Sequence, residues 1–385
     1  MLEYLDGYCN SFKIKYLYLD KLFHGKLESA NKKDKREIDT ANIYINFESI
    51  YNGLRTPYVE KRLAKCTKKE LKQIYRQAIS SFINIAAHYR EYFKRHKIKT
   101  NIIFYYNEIT EQYENYNNTA LCEDYRMHFY NSLHNYRKIV VNGMIDDCIQ
   151  FMKILVEYIE NAYMVSSKRV ESSLIPFVLE MEGALPSNIN IFITKDMYDF
   201  QYCNYHGIII KKHNDTPILL TKRNIMKYMC LSHDFEPEKF INPLLITFIL
   251  SCIGDRKRSL PKIKGFGFKT IYKGLLSLYE AGYLFDENED TFGIQNLISV
   301  LNQNDLIKRD IQSIGTDIMS NYRCIDLESQ FRVLNKAQKN KITDQIVDKT
   351  DSGSLLEINE RYFEECPIML IELNQYKKNA ITGFK

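Results

Sequence analysis

Tryptophan is absent from the 385 residues, and no run of about twenty consecutive apolar residues occurs. The second absence excludes a membrane-spanning helix. The first, beside an abundance of Tyr, Lys, Ile and Asn, is the mark of an AT-rich genome and carries no chemistry. The opening stretch MLEYLDGYCNSFKIKYLYLDKLF lacks the basic, apolar and small order of a secretory leader. The nine cysteines include no pair at metal-ligand spacing, which argues against structural zinc, and an odd number without a framework points to a reducing compartment. The expected location is therefore cytoplasmic. A strong charge bias is missing too. Lys and Arg number 53 against 48 Asp and Glu, and a net charge of +5 does not by itself predict nucleic-acid binding. What remains, 45% hydrophobic and 26% charged, describes a soluble globular chain long enough for one large domain and a smaller one or two.

Charge is concentrated locally instead. Gly254–Thr270 reads GDRKRSLPKIKGFGFKT, with Pro261 between two short segments and Gly265 and Gly267 bracketing one aromatic. A helix is predicted to start near Lys269 and run IYKGLLSLYEAGYL. Glycines at that spacing let backbone N–H groups approach a ligand, and a helix N-terminus behind them favours an anion. From Arg256 to Lys273 there are seven Lys or Arg and no acid, so phosphate is the anion indicated. Asp255 stands just before this run, where a carboxylate makes most sense if a metal or a partner cation lies between it and the phosphate. A solvated basic loop with a structural Asp is the competing reading.

Along the chain, IYI in Ala41–Ile45 suits a buried strand that ends at Asn46. Thr67 and Glu70 form a capping box ahead of a long amphipathic helix that ends near His96. NIIFYY (Asn101–Tyr106) is a second buried strand. Glu111–Lys138 interleaves basic residues (Arg126, Arg137 and Lys138 among them) with Tyr and Phe, a pattern that tracks a nucleic-acid backbone or, alternatively, packs a pair of surface helices. Ile145–Ile159 has helical spacing, and a short strand follows at Ala162–Val165. Glu171–Glu182 reads as a helix with Pro176 in its first turn or two, and Asn190–Thr194 as a third major strand. Gly207–Ile210 and Pro217–Leu220 flank HNDT as a hairpin. Pro243–Ile253 is an apolar helix that delivers Asp255.

Strands alternating with helices predict an α/β fold, an open, mostly parallel sheet flanked by helices, with ligands bound outside the carboxyl ends of the strands. Asn46, Tyr105 to Asn107 and Asp196 all fall at strand ends, and Glu171 opens a helix at the same edge.

This order of elements resembles the 5′-nuclease superfamily, the flap endonucleases and phage or bacterial 5′–3′ exonucleases with a PIN-like domain. GDRKRSLPKIKGFGFKT is similar to the family's entry to its helix–three-turn–helix. NIFITKDMYDF resembles the strand-end segment with two aspartates, IYINFES the first strand and its aspartate, and RVESSLIPFVL the acidic helix. YNSLHNYRK falls where the family has an aromatic-basic arch. The likeness spans about residues 41–285. It implies an N-terminal extension over 1–40, a PIN-like domain over 41–235, a helix–three-turn–helix over 236–300 and a C-terminal region of unknown role over 301–385.

The resemblance also implies catalytic Asp255, Asp196 and Glu171, metal ligands Glu171, Asp196, Asp199 and Asp255, and Mg²⁺ or Mn²⁺ as cofactor. DNA contacts are implied for Arg258, Lys262, Lys264, Gly265, Gly267, Lys269, Thr270, Arg126, Arg137 and Lys138. The implied partner is DNA, as 5′ ends, flaps or junctions, alongside replication or virion proteins.

Departures from the family pattern are as telling. Its carboxylates hold two divalent metals that generate hydroxide and polarise the phosphate. Here Asn46 matches the first-strand aspartate, Tyr105 (or Asn107 in a slipped register) the second, and Ser173 and Leu174 the two aspartates after Glu171. Tyr198 stands at the usual second position of the Asp196 pair, with Asp199 one residue on, either reaching the site or facing away. Arg258 replaces the partner of Asp255. At about 5 Å from a divalent ion and an effective dielectric near 20, that guanidinium is repelled by roughly 6–7 kcal/mol before screening. A full two-metal set is therefore not expected, and one ion is the most these residues would hold. Arg258 is suited instead to pair directly with a phosphate. Two expectations follow: a metal-dependent 5′-nuclease, or a non-catalytic descendant that binds DNA or serves as an interaction module.

Overall fold

The computed structural model describes residues 40–47, 67, 89–90, 92–107, 149–150, 152–153, 156, 161–168, 170–187, 189–194, 196–205, 207–213, 216–233, 245–254, 260–263, 266–280 and 311–347. Asp255, Arg258, Lys264, Gly265, Arg126, Arg137 and Lys138 lie outside them, as do most of the predicted helix after Thr67 and the aromatic-basic segment.

Six strands form one sheet: β1 (Thr40–Asn46), β2 (Lys99–Asn107), β3 (Ala162–Ser167), β4 (Ile189–Ile193), β5 (Ile208–His213) and β6 (Thr216–Leu220). Their order is β3-β2-β1-β4-β5-β6, parallel from β3 to β5, with β6 antiparallel at the edge. The α/β expectation holds, and the physical reason is visible in the strands. β1 and β2 are buried at nearly every position, on both faces, and such strands read as continuous apolar runs rather than alternating ones. Pro217 sits on edge strand β6, where a missing N–H costs no central ladder bond.

Chain direction across the sheet reverses at β1. Strands β1 to β3 grow outward on one side, and the chain then returns to lay β4 on the other side of β1. Such a reversal opens a crevice between the carboxyl ends of the two strands, the position where open α/β sheets bind ligands.

The helices that pack around this frame include α1 (Ile175–Met181), α2 (Ile225–Ser232), α3 (Ile246–Ile253), α4 (Phe268–Glu280), α5 (Ile311–Ile325), α6 (Leu327–Val333) and α7 (Lys336–Thr343). Pro176 falls in the first turn of α1, where its fixed φ suits the helix and its missing N–H is not needed. The Tyr202 hydroxyl secures that turn by accepting from the Phe177 N–H at 3.0 Å and donating to the Ser173 carbonyl. Its ring stacks on Phe192 with centroids 4.0 Å apart. Gly207 passes so close that a Cβ would meet the Tyr202 carbonyl at 2.7 Å and the Phe192 ring at 2.8 Å, so only glycine fits there.

Residues 311–347 complete the core. Ile318, Ile325, Leu327, Leu334 and Ile342 belong to the same buried cluster as Tyr44, Ile103 and Phe192. Gln345 covers the outer edge of β3 by accepting from the Ser166 N–H and donating to the Ser166 carbonyl, both at 2.9 Å, as a strand neighbour would. Cys203, Cys230 and Cys252 are buried free thiols.

Candidate strand-end site and basic turn

The reversal point of the sheet is occupied by a compact polar knot. Asn46 ends β1, Tyr105 lies near the end of β2, and Thr194 follows β4. All three direct donors at one atom, Oδ2 of Asp199: the Asn46 amide and the Tyr105 hydroxyl at 3.0 Å each, and the Thr194 hydroxyl through a very short bond. Asp199 is fully buried, and its other oxygen, Oδ1, has no hydrogen-bond partner among the described residues. It reaches this position because a 3-10 helix (Tyr198–Tyr205) begins directly after the strand end and turns its second residue inward. Asp196 starts that turn, accepting from the Tyr198 N–H at 3.0 Å while its own N–H donates to Thr194 Oγ1.

The electrostatics follow from burial. Removal from water pushes the Asp199 carboxyl up from 3.8 to about 7, with the charge of Asp196 adding to the rise and the bonds from Thr194, Asn46 and Tyr105 opposing it. The Tyr105 phenol is raised well above its ordinary value, first by burial and then by Asp199, so it stays a donor. Glu171 is buried just ahead of a 3-10 turn (Ser172–Leu174), its carbonyl accepting from the Leu174 N–H at 2.9 Å. Through the bond from Tyr202 to Ser173, this turn is tied to the segment that carries Asp199.

The structure thus brings Asp196 and Asp199 together with Asn46 and Tyr105 and fastens the turn of Glu171 to the same 3-10 segment. Among the described residues no group of three or more His, Cys, Asp or Glu is placed to hold a metal ion. The donor chemistry explains why the described set does not fit a two-metal centre. Hard divalent cations want anionic oxygens, and Oδ2 of Asp199 already accepts from three neutral donors, which leaves Oδ1 as its one oxygen without a partner among the described residues. The site holds a carboxyl group through neutral side chains, and it can store a proton there.

The basic turn follows α3. Gly254 has φ +64, and a Cβ on it would meet the Leu260 carbonyl, the Pro261 carbonyl carbon and the Lys262 nitrogen, each at 2.8 Å. Both the left-handed backbone and the close approach require glycine. The Ile263 N–H then donates to the Cys252 carbonyl at 3.1 Å, folding the turn onto the end of α3. Leu260, Ile263 and Phe268 are buried, while Lys262, Lys269, Thr270 and Lys273 are exposed. Gly267 directly precedes α4 and is half-buried, and its carbonyl accepts from the Ile271 N–H at 3.0 Å. The His233 ring stacks on Phe268 with centroids 4.3 Å apart.

No family model matches the sequence, and no curated protein matches it either. Solved structures do. A zinc-bound T5 5′-exonuclease is similar with a TM-score of 0.49 and 12% identity, covering 81% of this chain and 100% of that one. A flap endonuclease of bacteriophage T5, in a complex with DNA and metal ions, gives a TM-score of 0.43 and 11% identity over 80% of this chain and 98% of that one. These are likenesses of fold. What the site does must come from its own residues.

Several of those residues were not singled out in the sequence. Thr194 carried a signal, a hydroxyl at a strand end. Gln201 and Asn321 carried none, because their partners are main-chain carbonyls, all but that of Tyr198 far away in sequence, and the distant hydroxyl of Thr247.

Proposed function

We propose that this protein is a nucleic-acid-binding module built like a 5′-nuclease in which metal-dependent strand cleavage has been lost. The observation that carries the reading is the convergence of Asn46, Tyr105 and Thr194 on Oδ2 of Asp199. Donors at that atom hold the carboxyl within the fold, where a nuclease would need it turned to a cation. Binding is supported by the exposed Lys262, Lys269, Thr270 and Lys273 at the turn and first helical turns of α4, where backbone N–H groups and cationic side chains suit a phosphate. The ligand proposed is DNA as 5′ ends, flaps or junctions, in replication or repair and in a phage or viral setting. Arg258, Lys264, Gly265 and Gly267 complete the proposed grip in a helix–three-turn–helix, and Arg126, Arg137 and Lys138 in an arch.

A second reading, a 5′–3′ exonuclease or flap endonuclease that keeps one Mg²⁺ or Mn²⁺ on Glu171, Asp196, Asp199 and Asp255, is favoured by one observation. Oδ1 of the buried Asp199 has no partner among the described residues.

Gel-shift titration of a 5′-flap duplex in EDTA tests the primary reading. Binding that persists without divalent metal and is weakened by changing Lys262, Lys264 and Lys269 together supports it. Absence of binding to any duplex, flap or junction overturns it.

A further inference from the structure

We propose that α5 is a bracket that fixes the basic turn relative to the strand-end site, with Asn321 and Gln201 as its positioning residues. The proposal rests on the nucleic-acid-binding reading above and names which part of the chain sets its geometry. Asn321 lies on α5 and is 2% exposed, too deep to touch a ligand. Its amide nitrogen carries two hydrogens and uses both, donating to the Ser251 carbonyl at 2.8 Å and the Pro261 carbonyl at 2.9 Å.

Ser251 and Cys252 lie in the last turn of α3, where carbonyls lack partners within the helix. Each is used to hold the turn. Ser251 shares the Asn321 amide with Pro261, and Cys252 accepts directly from the Ile263 N–H. Lys262 is the residue between those two anchors, and it is exposed. The backbone from which it projects is therefore held by Asn321 on one side and Cys252 on the other.

The other end of α5 is tied to the 3-10 helix that carries Asp199. The Gln201 amide donates to the Ile325 carbonyl at 3.0 Å and to the Tyr198 carbonyl at 3.1 Å, while its oxygen accepts from Thr247 of α3 at 2.8 Å. Gln201 is buried two residues after Asp199 on the same 3-10 helix. An unbroken set of buried hydrogen bonds and helix backbone thus runs from the segment of Asp199, through Gln201 and α5, to Asn321 and the turn.

Asn321→Ala tests the bracket by fluorescence-anisotropy titration of a 5′-flap duplex between 50 and 200 mM salt. Amide hydrogen exchange at Ile263 is measured in parallel. The expected result is about tenfold weaker binding, the scale of one buried polar interaction lost, together with a salt slope smaller by about one unit as Lys262 loses its register. Exchange at the Ile263 amide becomes faster. Ile342→Ala, in α7 against α1 and β3, supplies a destabilised control whose salt slope stays that of the wild type. Should Asn321→Ala fail to fold, Asn321→Ser, which keeps one donor, gives an intermediate loss of affinity and slope.

Unchanged affinity and slope in the Asn321 variant, or an equal loss in Ile342→Ala, would overturn the bracket. If the wild type binds no duplex at all, the functional reading fails while the bracket is still judged by exchange. Faster exchange at Ile263 in the Asn321 variant upholds it, and unchanged exchange overturns it.

Discussion

Replacing Asp199 by Asn should flatten the pH dependence of stability. In the folded chain this carboxyl holds its proton up to about pH 7, against an ordinary value of 3.8. The folded state therefore binds more protons than the unfolded state between those two values. Stability from this group is fully present below about pH 4, declines as pH rises, and is lost above about pH 7. A difference of roughly three units at about 1.4 kcal/mol each corresponds to about 4 kcal/mol. In Asp199→Asn the amide oxygen can accept the same three bonds, while the amide nitrogen takes the place of the unpartnered Oδ1. That buried N–H group costs about 1–3 kcal/mol, and the cost does not vary with pH. The assay is urea unfolding at pH 5, 6, 7 and 8 for both proteins. The wild type should lose stability relative to the variant at each step from pH 5 to 7, so that the variant is the less stable at low pH and the gap closes or reverses by pH 8. Groups that do not interact with Asp199 contribute equally in both proteins and cancel in the difference. Parallel curves across this range would refute the reasoning.

Asn46→Asp would set a second carboxylate against Oδ2 of Asp199 in place of a donor. It should lower the melting temperature in EDTA, by the equivalent of about 2 kcal/mol or more for a lost hydrogen bond to a charged group plus like-charge repulsion. Mn²⁺ should raise the melting temperature of this variant with concentration while leaving the wild type unmoved, as read by thermal scanning. Changing Lys262, Lys264 and Lys269 to Ala together should weaken duplex binding alike for all sequences and reduce the salt slope by about one unit per lost contact. An unaltered titration would show that the turn is not the grip.

The sheet was legible because a strand buried on both faces has to be a continuous apolar run, and NIYI, NIIFYY and NIFI are such runs. The crevice was legible from the polar residues Asn46, Tyr105 and Asp196 at their ends. The direction of Asp199 was not, because strand alternation stops at Thr194 and the winding of the following 3-10 helix decides which way the side chain points. Nor was the contribution of α5 to α7, whose apolar positions pack on α3, α1 and β3. Which element a helix covers is decided by tertiary packing rather than by its own periodicity. Asn321 illustrates the limit. An amide in the middle of a helix reads as surface, yet here it is buried between two carbonyls that nothing nearby in sequence could identify.

The most direct test of the strand-end site is a cleavage assay on an end-labelled 5′-flap duplex, with Mg²⁺ or Mn²⁺ in one series and EDTA in the other. The expected result is a protein–DNA complex in both series and no product in either. Metal-dependent product that disappears in Asp255→Ala would contradict the loss of catalysis and restore the metal-dependent reading.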